Sequence, residues 1–396
     1  MSSNGPEEGF AHGVRYEELL YRNQVPEFAL DLLCKLYGSL YSIQPAVQAI
    51  SNNDYQGIFT YVRRISAPAP DSSDILLMFR LKDRSVYVLN EGMQLDLLCI
   101  EAFCSYVFAQ MPNITQIDFH AIAPVAPVAP TAHVSAHGTL HAARHRLSWP
   151  CTEDIVIDLP ESPELYLKQL GKATRKSIRK QLSRALRELP DFSHQIISGT
   201  RVDDALVSQI INFNHARMAQ QGRISALDEK AQSDLICLLR LRGEAGVIVG
   251  GGKLCAGTLA CRVGDDLYSL VNAHDPTFDY LGLGNVCRHL MILEAIKAGA
   301  RRFHLMGGNL PAKRATLAVR QPRHHMSVYR KRWHMLMDIR GIMRHAAIAA
   351  LYQLQSTVED HQAAAPDGLI SYLVSTLRLL MRRRSAPPHT PIARAP

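Results

Sequence analysis

Residues 266–306 read DLYSLVNAHDPTFDYLGLGNVCRHLMILEAIKAGARRFHLM. DLYSLVN (266–272) reads as a strand, reached through the Gly264-Asp265 turn. A helix over 284–298 follows, with Val286, Leu290, Leu293 and Lys297 on one face, and RRFHLM (301–306) reads as the next strand. Between the first strand and the helix lies Tyr280-Leu281-Gly282-Leu283-Gly284-Asn285. A strand that enters a glycine-rich turn opening a helix makes an anion site. The first amides of the helix point at one spot, and the helix dipole adds partial positive charge there. Glycine lets the backbone approach a phosphate without a Cβ in the way. An ordinary turn and cap pair has the same spacing, so the pattern alone leaves both readings open.

Upstream, GVIVGG (246–251) and AGTLACRV (256–263) form a hairpin turned by Gly250–Gly252. Helices are expected over 203–220 and 228–242, a basic helix or helix pair over 163–188, and a strand at DIVIDL (154–159). A smaller α/β unit precedes them. Residues 17–50 look helical, ILLMFRL and SVYVLN within 75–90 read as two strands, 94–110 as a helix and TQIDFH (115–120) as a strand. Pro124, Pro127 and Pro130 recur every third residue, which favours polyproline II and marks 121–150 as a Pro/His-rich connector. Residues 1–16 read as a loose, disordered tail. Residues 331–396 read as a basic helical tail ending in a Pro-rich segment.

Composition fits this division. A chain of 396 residues exceeds one core, and 47% hydrophobic residues support packed domains. The net charge of +8 is concentrated at Lys172–Arg187 and near the C-terminus. It suits an anionic partner without selecting among CoA phosphates, lipid and nucleic acid. The basic helix lacks interleaved aromatics, which weakens the nucleic-acid reading. None of the eight cysteines forms a CxxC pair. Buried free thiols, no secretory leader and no apolar run of ~18 residues point to the cytoplasm. His133, His137, His141 and His145 follow i, i+4 steps, but Pro130 and Gly138 oppose a helix and no acid or cysteine joins them, so no metal site is expected.

Several spaced segments together resemble the acetyltransferase domain of CelD/BcsL-type cellulose-biosynthesis proteins, a branch of the GNAT superfamily related to FemAB-like proteins. Tyr166-Leu167 with Arg175-Lys176 and Ile178-Arg179 matches the basic helix, and His215-Ala216-Arg217 with Gln221-Gly222 the next helix. Gly251, Gly252 and Ala256-Gly257 match the hairpin. Asn272-Ala273-His274-Asp275-Pro276 precedes Gly282, and Gly308 stands five residues before Lys313. The sequence departs from the pattern at Asp279, where the phosphate motif opens with Gln or Arg. It departs also at His304, in place of a strand-end Asp, and at Ala312, in place of a Tyr.

The resemblance implies an α/β fold: a GNAT-like mixed sheet flanked by helices, with a degenerate unit over 17–120, an acyltransferase domain over 151–330 and a helical C-terminal tail. It implies transfer of an acetyl or other acyl group from acyl-CoA to an amine or hydroxyl, of a sugar or nucleotide sugar in exopolysaccharide or cell-envelope synthesis. Direct attack on the thioester needs no covalent nucleophile. Leu270, Val271, Asn272, Gly282, Leu283, Gly284 and Asn285 are the candidates for holding acetyl-CoA. His304 is the first candidate base, with His274 and Asp275 as alternatives. Arg175, Arg179, His215, Arg217, Asn309 and Lys313 are candidates for the acceptor. A non-catalytic synthase subunit and a FemAB-like aminoacyl transferase using tRNA are the competing readings. In the tail, Leu369, Ile370, Leu373, Leu377, Leu380 and Met381 fall near one helical face before Arg382–Arg384. That pattern suits peripheral contact with the inner membrane or a membrane-bound synthase, and equally a helix packed on the domain.

Overall fold

The computed structural model describes residues 7–11, 14–65, 74–124, 145–220, 222, 225, 227–307 and 313–364. The first half runs β1 (Glu7–Ala11), β2 (Val14–Arg22), α1 (Ala29–Tyr37), α2 (Leu40–Ser51), β3 (Ile58–Ile65), β4 (Ile75–Lys82), β5 (Ser85–Val88), α3 (Leu97–Gln110) and β6 (Gln116–Ile122). The second half runs β7 (Arg146–Asp158), α4 (Pro163–Gln169), α5 (Lys172–Glu188), β8 (Ser193–Ser198), α6 (Asp204–Gln220), α7 (Glu229–Arg242), β9 (Gly243–Gly250), β10 (Lys253–Val263), β11 (Asp266–His274), α8 (Leu283–Lys297), β12 (Arg302–His304) and β13 (Val319–Tyr329). Helices α9 (Arg332–Met337) and α10 (Ile339–Ala364) follow. Single 3-10 segments lie at Gly199–Arg201 and Pro276–Leu281.

All described strands join one sheet in the order β1-β2-β3-β4-β5-β6-β13-β7-β12-β11-β10-β9-β8. Strand–helix–helix–strand–strand–strand–helix–strand occurs twice, as β2 to β6 and as β8 to β12. The repeat extends to register. Tyr87 lies opposite Asp118 in the parallel β5–β6 pair, and Tyr268 opposite His304 in the parallel β11–β12 pair. Each of these short parallel ladders is then flanked by an antiparallel strand, β6 by β13 of the second half and β12 by β7. The chain is therefore two GNAT-like units in tandem, joined at the centre of the sheet by the antiparallel β7–β13 pair.

This central join carries a buried acid–imidazole pair in each unit. Asp118 lies opposite Ser327, and His325, two residues earlier on β13, comes within 3.5 Å of its carboxylate. His304 lies opposite Val156, and Asp154, again two residues earlier, on β7, accepts at 2.6 Å. The same two registers thus hold an acid and an imidazole with the partners exchanged. Burying such polar groups is tolerable because each finds the other.

Apolar packing completes the layers. Phe103, Val107 and Cys104 of α3 bury one face of β3–β6. On the other face, Leu33, Ile43 and Val47 of α1 and α2 pack on Val62 and Met78, and also reach Cys261, Val263 and Tyr268 of the second unit. In the second unit, Met291, Ile292 and Ala295 of α8 cover Ile155, Ile157 and Phe303.

Several expectations need correction. Residues expected as a loose tail or helix at 7–11 and 14–22 are a hairpin, closed against Arg63 and Arg64 of β3. β3 and β8 were not apparent in the sequence. Residues 146–150, assigned to the connector, begin β7, while 125–144 lie outside the described residues. β13 was not expected as a strand either. Its sequence, VRQPRHHMSVY, has no clean alternation, because both neighbours are strands and its polar residues meet buried partners. Pro322 is accommodated because pairing with β6 begins only at His324.

Candidate functional site

β11 and β12 pair over three residues, Asp266–Arg302 to Tyr268–His304, and then part. Leu259 pairs with Val271 and Ala260 with Ser269, so Leu270 is an extra residue that bends β11 at the parting. From here β11 continues to His274 with a backbone edge that β12 no longer covers.

The turn beyond β11 is built locally. Asp275 caps the 3-10 segment by accepting from the Thr277 amide at 2.9 Å. Gly282 then adopts φ 67°, ψ 34° and opens α8 without a side-chain cap. The positive φ favours glycine here, and a Cβ at Gly282 would also lie 2.5 Å from Gln181 Nε2 of α5, whose side chain would have to shift. The Asn285 and Val286 amides fold back to the Gly282 carbonyl, at 3.0 and 3.3 Å. The helix start therefore has amides with no intrahelical acceptor and no capping oxygen.

Cations gather at this helix start. Arg288, one turn in, donates to Asn285 Oδ1 at 3.0 Å and has no carboxylate partner among the described residues. Burial lowers its pKa, and the neighbouring Arg217 pushes the same way. Arg217 donates to Asn214 Oδ1 at 2.8 Å, while its buried Nε has no partner. A cleft of about 320 Å³ opens beside them between α5 and α8, lined by Thr174, Ser177, Gln181, Asn285, Arg288 and His289. Burial holds His289 neutral, with its pKa down at about 4, and its Nδ1 has no partner.

Residues 172–314 match the family described as the acetyltransferase (GNAT) domain. This segment is similar to GNAT acetyltransferase domains. The crystal structure of FemX superposes with a TM-score of 0.56 at 12% identity, covering 81% of this chain and 99% of that one. L-PGS from Bacillus licheniformis gives a TM-score of 0.46 at 10% identity, over 82% and 97% of the two chains. A tandem GNAT protein from the clavulanic acid biosynthesis pathway gives 0.35 at 12%, over 79% and 98%. At these identities the FemX likeness concerns the fold. No curated protein sequence matches the chain.

The two GNAT-like units differ at the corresponding helix start. In the first, Asp96 caps α3, its carboxylate accepting from Cys99 N at 2.6 Å. A carboxylate already occupies the place an anion would take. In the GNAT domain Gly282 leaves that place to the amides, Arg288 and Arg217.

The expected site residues separate into those at this locus and those elsewhere. Leu283, Gly284 and Asn285 form its first turn, and Asn272 and His274 stand over it. A Cβ on Gly284 would lie 3.0 Å from His274 Nδ1 and 3.6 Å from Asn272 Nδ2. His274 Nε2 meets Asp279 Oδ1 at 2.7 Å, Asp279 standing where the resemblance places a Gln or Arg. Val271 faces the α6 core, and Asp275 serves as a cap. Arg175 donates to the Leu167 and Lys168 carbonyls at 3.2 and 2.9 Å and braces the α4–α5 joint. His215 is engaged with the Leu227 carbonyl at 3.0 Å, Arg179 is exposed on α5, and Asn309 lies outside the described residues.

His304, the first candidate base, is 1% exposed. Its Nδ1 meets Asp154 at 2.6 Å, its Nε2 meets Asp266 at 3.3 Å, and its ring stacks on Tyr268 at 4.0 Å. Burial alone would lower its pKa, but the two carboxylates outweigh it and hold His304 above its ordinary value. With both nitrogens engaged, it has no free position from which to take a proton off an acceptor. Lys313 Nζ donates to the Leu305, Met306 and Gly307 carbonyls at 2.6, 2.9 and 3.0 Å. All three of its protons clamp the backbone leaving β12. Burial, then Arg288, bring its pKa down to about 8. Arg288, His289 and Gln181 were missed in the sequence. Arg288 stands three residues after Asn285 on α8, a spacing that could have signalled it.

Proposed function

We propose that the chain transfers an acyl group from acyl-CoA to an amine or hydroxyl, with the GNAT domain as the reactive unit. The observation that carries this reading is the uncapped start of α8 beside Arg288, which has no carboxylate partner among the described residues, with Arg217 close by. A half-buried cation without a paired carboxylate favours an incoming anion, and a diphosphate ester such as CoA supplies one. The amides of Leu283 and Gly284 with Arg288 would hold the phosphates, and the edge of β11 left bare beyond Tyr268 offers backbone amides to the acyl carbonyl. Bound acyl-CoA supplies the thioester carbon that the acceptor attacks. His274, oriented by Asp279 through Nε2, retains Nδ1 toward Gly284 to accept a proton, directly or through water. The acceptor class, a sugar or nucleotide sugar of envelope or exopolysaccharide synthesis, rests on the family resemblance alone.

A second reading is favoured by α5. Lys172, Lys176, Arg179 and Lys180 are exposed on the helix that walls the cleft. That face would suit an aminoacyl ester carried on RNA. Calorimetric titration with acetyl-CoA tests the first reading. Binding by the wild type that Gly284→Val abolishes supports it, because the added side chain drives into His274. No heat with any acyl-CoA, together with salt-sensitive binding of RNA, would replace it with the second.

A further inference from the structure

Helices α9 and α10 present an inverted surface. The inner face of α10 is spent on the sheet: His345 stacks on His325 at 4.0 Å, Ala349 is buried, and Tyr352 donates to Glu153 at 2.9 Å. The outer face should be polar in a helix that ends at water. Instead Trp333 is 66% exposed, Leu336 60%, Met337 67% and Met343 65%, and Ile339, Leu351 and Leu354 continue the exposure. The charged residues beside these apolar side chains, over α9 and the first turns of α10, are Lys331, Arg332, Arg340 and Arg344 with one acid, Asp338, while Glu359 and Asp360 fall near the far end of α10. The Asp338 carboxylate is already engaged, accepting from Tyr329 at 2.8 Å.

We propose that this face of α9–α10 lies on the surface of an anionic phospholipid bilayer. Large apolar side chains with arginines at their margins bury the one in the acyl boundary and leave the other at the headgroups. Trp333 suits that boundary, being apolar with one polar tip. The charge pattern argues against the other occupants. A second copy would bring the same cations to the same face. Residues 368–396 carry five arginines and no acid, so that segment is repelled by the patch and drawn to the same surface. Nucleic acid would pair with the arginines but would leave the apolar side chains in water. No described helix is long and apolar enough to cross a membrane, so the contact is peripheral.

The test is co-sedimentation of the full chain with phosphatidylcholine vesicles, with and without phosphatidylglycerol. The wild type should bind the anionic vesicles, and Trp333→Gln/Met337→Gln/Met343→Gln should bind at least tenfold more weakly. These side chains are exposed, so the variant should keep its thermal midpoint. As a second readout, Trp149→Phe leaves Trp333 as the one tryptophan, and its emission should shift to the blue on bound vesicles. Failure of the wild type to bind overturns the proposal. So does bound protein with unshifted Trp333 emission, or binding lost in Arg382→Gln/Arg383→Gln/Arg384→Gln but kept in the triple glutamine variant.

Discussion

Replacing Arg288 by Met should move stability and ligand affinity in opposite directions. The guanidinium is partly buried beside Arg217 and Lys313, and its one hydrogen bond goes to a neutral amide, Asn285 Oδ1. Removing a cation that lacks a counter-charge relieves desolvation and like-charge repulsion, while Met keeps most of the aliphatic volume. A gain of about 1 kcal/mol, or roughly 2–4 °C in Tm, is expected for the ligand-free protein. With a phosphate bound, the same guanidinium makes a charge-assisted contact worth about 1.5–3 kcal/mol, so Kd for acetyl-CoA should rise by roughly ten- to 150-fold. The Lys313 ammonium, freed of one repulsive neighbour, should titrate above about 8. Differential scanning calorimetry and calorimetric titration on the same preparations decide the matter. If Arg288→Met lowers Tm and leaves acetyl-CoA affinity unchanged, Arg288 is a structural residue and the anion site at α8 is wrong.

Three further outcomes follow from the same geometry. His304→Leu removes the imidazole between Asp154 and Asp266, leaving Arg302 on Asp266 at 2.7 Å and Arg323 near Asp154 at 3.8 Å, and should cost about 1–3 kcal/mol by urea unfolding. The pH profile has a sign as well. Because folding raises the His304 pKa, its contribution is complete below about 6.5 and fades as pH rises through the folded value; because folding lowers that of Asp266, its share is present above about 3.9 and fades on acidification. The wild-type urea midpoint should therefore fall above pH ~6.5, a slope that His304→Leu should lack; parallel profiles would refute the assignment. Asp279→Asn removes the acid that holds His274 and lies near Arg217, so acetyl-CoA should bind about fivefold more tightly, by roughly 1 kcal/mol; weaker binding would show that Asp279 serves the ligand. Asp96→Ala should destabilise the fold by about 1 kcal/mol through the lost α3 cap while acetyl-CoA affinity stays unchanged; a change in affinity would place a working site in the first unit as well.

What the sequence could determine by itself was local. The strand at 266–274, the glycine turn and α8 lie within one continuous stretch, and their signals are carried by period, glycine position and helix length. The matching hairpin of β9 and β10 and the helix pair over 163–188 were legible for the same reason. Tertiary structure decided whatever depends on which distant strand lies alongside. His304 looked like a base at a strand end, but Asp154, 150 residues earlier, and Asp266, 38 residues earlier, enclose it. β13 is unrecognisable alone, since its polar residues become tolerable only between β6 and β7. That one unit closes its helix start with Asp96 while the other leaves Gly282 open is visible only once the two ladders are seen to share a register. Local periodicity encodes where a chain can turn and which face it can bury. The partner of a buried charge is set by strand pairing across the whole chain, and no window of sequence contains it.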